Sequence, residues 1–150
     1  MQDISNDKEL RAALDRLSIE QQRVIGARFA NSVSGINIDS SLTRALDIAM
    51  KSDSTPGDRE DAYKAAKSIA TRSYTACGQD VDWQAQAKHF VAAACSVVLA
   101  PEGLSSEISN IAWKAAIHAR MAENCLMMET ESGNSEGQAR RQYEIARNFS

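Results

Sequence analysis

Two tryptophans, two histidines and an arginine are the residues whose types and spacing could do chemistry in this chain. Trp83 and Trp113 each precede a histidine by one or two helical turns, His89 and His118, and Arg120 follows two positions after the second. A pair of large aromatics can line a ligand or partner groove, and a guanidinium can grip a carboxylate or phosphate through two parallel hydrogen bonds. The competing role is packing, because the few large aromatics of an alanine-rich bundle usually anchor their helices by burying apolar area. The sequence therefore names Trp83, His89, Trp113, His118 and Arg120 as candidate ligand-binding residues. The condition is that His89, His118 and Arg120 converge on one solvent-reachable pocket. Met121, Met127 and Met128 extend the same helix and suit either an adaptable contact surface or an irregular piece of core.

Other motifs lack the context that their chemistry requires. Gly133-Asn134-Ser135-Glu136-Gly137 matches the G-x-S-x-G nucleophile elbow, but a long helical pattern precedes it where a strand is needed. Both histidines also come before that serine, whereas the elbow's fold places its histidine after. Ser5-Asn6-Asp7-Lys8 satisfies S-x-x-K and reads as a helix start. Neither phosphate-loop pattern occurs, nor does Cys-x-x-Cys, His-Glu-x-x-His or Glu-x-x-His, so the frames for nucleotide, zinc and di-iron sites are missing. On one helix His118, Ala122 and Cys125 share a face while Glu123 points elsewhere, too little to build a metal site. No catalytic residue, metal ligand or cofactor is assigned.

The elements that must position these residues are all helices. Leu10, Ala13, Leu14 and Leu17 recur at helical spacing after a start near Asn6 or Asp7. Ser18 and Gln21 form a capping box for a second helix reaching about Val33, with Val24, Ile25, Arg28, Phe29 and Ser32 as its stripe and Gly26 inviting close packing. Asp39-Ser40 caps a helix that faces the core with Leu42, Ala45, Leu46 and Ala49. Pro56 opens a fourth, carried to Cys77 and stopped by Gly78. Asp82 caps a helix from Trp83 to about Leu99, and Pro101 and Gly103 end it. Ser105 or Ser106 opens the longest helix, with Ile108, Ile111, Ala112, Ala115, Ala119, Ala122 and Leu126 on its apolar side and Gly133 closing it. A last helix, Glu136 to Arg147, follows a box at Ser135 and Gln138. Arg140, Arg141 and Arg147 there, interleaved with Glu136 and Glu144, read as a solvated face.

These elements predict an all-α fold: a single compact bundle of about six to seven helices, with orthogonal crossings an option, forming one helical domain over residues 1–150. One internal echo stands out. Trp83 and Cys95 are 12 positions apart, as are Trp113 and Cys125, and the two segments superpose at an offset of 30, with Ala92 on Ala122. The histidines do not superpose, which argues against a duplicated ligand site, and one echo falls short of a solenoid.

Composition bounds the function. A net charge of -3 argues against broad capture of nucleic acid, and no apolar run approaches the length of a membrane helix. Three cysteines, Cys77, Cys95 and Cys125, in apolar segments read as buried free thiols in a reducing compartment. With an N-terminus lacking a basic and apolar leader, they point to the cytoplasm. The leading expectation is a non-enzymatic protein-interaction module, an adaptor, homo-oligomer or inhibitory partner. The alternative is a small-molecule-binding or enzymatic bundle built on the Trp/His/Arg cleft.

Overall fold

The structure, a computed structural model, describes residues 3–33, 40–75, 82–101, 110–130 and 136–149. Every regular element among them is a helix: α1 (Asp7–Asp15), α2 (Ile19–Asn31), α3 (Ser40–Met50), α4 (Pro56–Thr75), α5 (Trp83–Leu99), α6 (Ile111–Thr130) and α7 (Glu136–Arg147). Five of them open on a side chain that takes up an amide left unpaired in the first turn. Asn6 Oδ1 accepts from Glu9 N (2.9 Å), Thr55 Oγ1 from Asp58 N (3.1 Å) and Asp82 Oδ1 from Ala85 N (3.1 Å). The capping box at α2 is complete: Ser18 Oγ accepts from Gln21 N (3.1 Å) and Gln21 Oε1 from Ser18 N (3.0 Å).

The fifth cap corrects an expectation. Asn110 Oδ1 accepts from Trp113 N (2.8 Å), and Asn110 itself is not helical, so α6 opens at Ile111 rather than running unbroken from Ser105 or Ser106. Asparagine outranks most residues as a cap, and here it outcompetes the apolar period that suggested continuity. Ser105, Ser106 and Ile108 lie outside the described residues, as do Cys77, Gly78, Gly133 and Ser135. The echo between α5 and α6 is out of step with the caps: Trp83 is the first helical residue of α5 and Trp113 the third of α6.

Packing is graded by residue size. Buried apolar side chains of α1 to α6 form one cluster, against which Tyr143, Ile145 and Ala146 of α7 also pack. The most extensive interface joins α5 to α6, followed by α4 with α5 and α2 with α6. Its currency is small: Ala87, Ala92, Ala94, Ala112, Ala115, Ala116, Ala119 and Ala122 are all fully buried. On α2 the inward stripe is Val24, Ile25, Ala27, Phe29 and Ala30, whereas Arg28, expected on that stripe, is exposed. α3 buries the four residues expected of it.

The tightest point is Gly26. A Cβ placed there would sit 2.6 Å from Val98 Cγ1 and 3.2 Å from Ala115 Cβ, so α2 meets both α5 and α6 where it has no side chain. Val98 is buried and β-branched, which leaves it little freedom to turn away. A Gly26→Ala substitution gains about 1 kcal/mol of helix propensity. It loses roughly 1–3 kcal/mol to overpacking, so the net expected effect is a loss of about 1 kcal/mol. Urea denaturation checks this: the midpoint should fall for Gly26→Ala and further for Gly26→Val, with no change in slope. A raised midpoint for Gly26→Ala would contradict the close approach.

Candidate functional site

The five candidate residues divide into separate groups. At 100° per residue, positions 118 and 120 point to nearly opposite sides of α6, and their contacts agree. His118 stacks on Phe90 of α5, ring centroids 6.1 Å apart and planes at 26°, and His89 meets Phe90 edge-on with centroids 5.1 Å apart. His89 Nδ1 donates to the Ala70 carbonyl (2.7 Å), which fixes its proton on that nitrogen and ties α5 to α4. His118 Nδ1 is buried and has no hydrogen-bond partner among the described residues. Burial, and then the proximity of Lys114 and of the His89 ring, hold its pKa below the ordinary 6.5, which favours the neutral ring.

Arg120 reaches the other way. Its Nη1 and Nη2 donate to Asp7 Oδ2 (2.9 Å) and Oδ1 (2.7 Å), its Nε donates to Gln142 Oε1 (2.9 Å), and Tyr143 donates its hydroxyl to Asp7 Oδ1 (2.7 Å). The bidentate grip on a carboxylate is thus made within the chain, joining α1, α6 and α7. The Arg120 hydrogen bond, assisted by that of Tyr143 and opposed by burial, keeps the Asp7 carboxyl below its usual range. Trp113 lies under the same cluster, with Arg120 Cζ 5.4 Å and Arg11 Cζ 5.9 Å from its ring, so its face is occupied by two cations. Trp83 is half-buried against the core on α5. No ring or hydrogen-bond contact joins it to the other four among the described residues. The geometry therefore gives a His89–Phe90–His118 group, a Trp113–Arg120 group and a solitary Trp83, and none of the five lines either cleft described below.

A set of buried carboxamides, not singled out from sequence, carries much of the interior polarity. Gln142 Nε2 donates to the Ala116 carbonyl (2.9 Å) and to Gln138 Oε1 (3.1 Å), which also accepts from Ser32 Oγ (3.1 Å). Both glutamines are fully buried. Gln138, read as half of a capping box, thus turns its acceptor inward to α2 and α7. Gln22 Nε2 donates to the Leu14 carbonyl (3.0 Å) while its Oε1 accepts from Ile111 N (3.1 Å), and Arg23 donates to the Ala49 and Lys51 carbonyls at the end of α3. The C-terminal basic cluster is likewise less solvated than expected: Arg141 pairs with Glu123 of α6, and Arg147 Nη1 donates to the Ile4 carbonyl (3.1 Å). A sequence signal did exist. Positions 138, 142, 145 and 149 follow one helical stripe, two of them occupied by glutamine where an apolar residue would be expected.

Two clefts flank α7. One, of about 430 Å³, is lined by Arg28, Ser32, Arg141, Glu144, Ile145 and Asn148. The other, of about 250 Å³, lies between α1, α2 and α7. Among the described residues no three His, Cys, Asp or Glu side chains converge to hold a metal ion. Cys95 and Cys125 are buried free thiols, and burial pushes the Cys95 pKa up to about 12, leaving it a packing residue.

Two expectations follow from these groups. Asp7 is half-exposed, so Asp7→Asn should cost only about 1 kcal/mol after screening. Arg120→Ala should cost roughly 2–3 kcal/mol, because it also strips the buried Gln142 Oε1 of its donor. The stability that Asp7 contributes is fully present above its ordinary pKa of 3.8 and is lost as pH falls through the depressed native value, so Asp7→Asn should flatten the acid limb of a denaturation profile. For His118 the lowered pKa makes unfolding easier as pH falls from 6.5 towards the native value. His118→Phe should remove that dependence, read as urea midpoints on either side of 6.5; a dependence unchanged in the variant would assign it elsewhere. Comparison of the chain with models of protein families, with curated proteins and with solved structures finds no match.

Proposed function

We propose that this chain is a non-enzymatic helical protein-interaction module that presents the outer face of α6 to a partner. The observation that carries the reading is an exposed apolar pair, Ile117 and Met121, which leave 36% and 40% of their surface open to solvent. They lie one turn apart between Lys114 and Asn124, the other exposed residues of that face. The 3-4-3 spacing of 114, 117, 121 and 124 is that of a seam onto which a second helix packs, and polar residues at its ends are suited to fixing register.

What further supports the reading is that side chains with chemical potential are engaged by partners within the chain. Arg120 holds Asp7 and Gln142, His89 holds the Ala70 carbonyl, and Arg23 holds the end of α3. An enzyme or small-molecule site at Trp83, His89, Trp113, His118 and Arg120 draws no support from a placement that separates His118 from Arg120. No helix among the described residues is long and apolar enough to cross a membrane. A cytoplasmic setting belongs to the same reading and rests on the unbridged, buried Cys95 and Cys125. An adaptor, a homo-oligomer and an inhibitory partner would all use such a face.

Light scattering over a dilution series, followed by isolation of the complex from native extract, tests it. A stoichiometric dimer or complex should form and be lost in the double variant Ile117→Glu, Met121→Glu, with helical circular dichroism unchanged. Association that survives both substitutions, or specific turnover by the purified monomer, would overturn the reading.

A further inference from the structure

The chemistry of the outer α6 face also selects its partner, an inference that rests on the reading of that face as an interaction surface. Lys114, Ile117, Met121 and Asn124 are its exposed residues, and their spacing of three, four and three is the same read in either direction. A stripe of that kind can meet a copy of itself about a two-fold axis passing midway between Ile117 and Met121. Ile117 of each copy then faces Met121 of the other, and Lys114 faces Asn124.

The polar residues at the two ends decide the orientation. Two parallel copies of α6 would set Lys114 against Lys114 and align the helix dipoles, both unfavourable. In the antiparallel arrangement the Lys114 ammonium, which can only donate, meets the Asn124 carboxamide oxygen, which accepts. Each positive N-terminal end of α6 also lies beside a negative C-terminal end. Neither side chain is held by another among the described residues. The neighbouring charges are already balanced: Arg120 pairs with Asp7 and Glu123 with Arg141, while Arg11, over the Trp113 ring, has Asp15 one turn further along α1. Lys114 is left as the uncompensated charge at its end of the stripe.

We propose that the partner is a second copy of this chain, docked antiparallel along α6. Its two apolar side chains per copy cover much less than the roughly 1,200–2,000 Å² of a stable interface. The dimer therefore belongs to the weak, transient class, with a dissociation constant on the order of 100 µM.

Disulfide trapping of the full chain tests both association and orientation. Lys114→Cys and Asn124→Cys, each combined with Cys77→Ser, place one new thiol at an exposed position, while Cys95 and Cys125 are buried. Positions 114 and 124 are about 15 Å apart along the helix, and a disulfide needs Cα atoms within about 7 Å of each other. Near the dissociation constant, a mixture of the two variants should cross-link about tenfold faster than either alone. Asn124→Asp, which turns both polar contacts into ion pairs, should tighten the dimer about fivefold in a sedimentation equilibrium measurement. Faster cross-linking of either variant with itself would mean parallel docking and overturn the proposal, as would a wild-type chain that stays monomeric at millimolar concentration. If that monomer instead captures a different protein through Ile117 and Met121, this assignment fails and the α6 reading stands; if it captures nothing, both fail.

Discussion

The meeting of α2 with α5 and α6 at Gly26 sets the rest of this structure. Where a side chain would stand, Val98 Cγ1 and Ala115 Cβ already lie within contact distance of the missing atom. Helices in such contact have room for methyl groups and little more, and the buried alanines of α5 and α6 supply just that. Large side chains must go elsewhere. Among the described residues Phe29 is the one aromatic that is fully buried, whereas Trp83, Phe90, Trp113 and Tyr143 sit at the margin, packed against the cluster rather than within it.

Marginal placement explains what these side chains do. An aromatic or arginine at the edge of a thin core can reach a neighbouring helix, and several do. Arg120, Trp113 and Tyr143 converge with Asp7 to join α1 and α7 to α6; Gln138 and Gln142 fasten α7 to α2 and α6; Gln22 ties the end of α1 to the start of α6. A buried donor or acceptor left without a partner costs roughly 1–3 kcal/mol. These ties therefore specify where α1 and α7 lie more sharply than their apolar contacts do. The same inward use of polar groups leaves the outer α6 face, with Ile117 and Met121, as a place where the chain departs from ordinary surface chemistry.

Much of the fold was readable because its local signals agree. Ser18 with Gln21, Pro56 after Thr55, and Asp82 before Trp83 each mark a helix start by a mechanism confined to a few residues, and the apolar period of α1 and α3 chooses the buried side without help from distant elements. The misreadings came where a tertiary partner decides. Arg28 lies outside the α2 stripe, and Asn110 rather than an earlier serine caps α6, the latter bonded across the fold to Asp15. For the candidate site, residue type was readable and direction was not. Arg120 does grip a carboxylate in bidentate fashion, as its chemistry suggests. That the carboxylate is Asp7, more than a hundred positions away in sequence, is a fact of topology that no local spacing encodes.

If small-residue packing of α2, α5 and α6 carries the fold and polar ties hold α1 and α7 to it, native-state hydrogen exchange should resolve the two levels. Amides in residues 24–30, 91–98 and 112–122 should exchange only through global unfolding, with those of α1 and α7 opening at distinctly lower free energy. Protection of α1 and α7 equal to that of the three central helices, or exchange of α5 and α6 through local opening, would contradict this division.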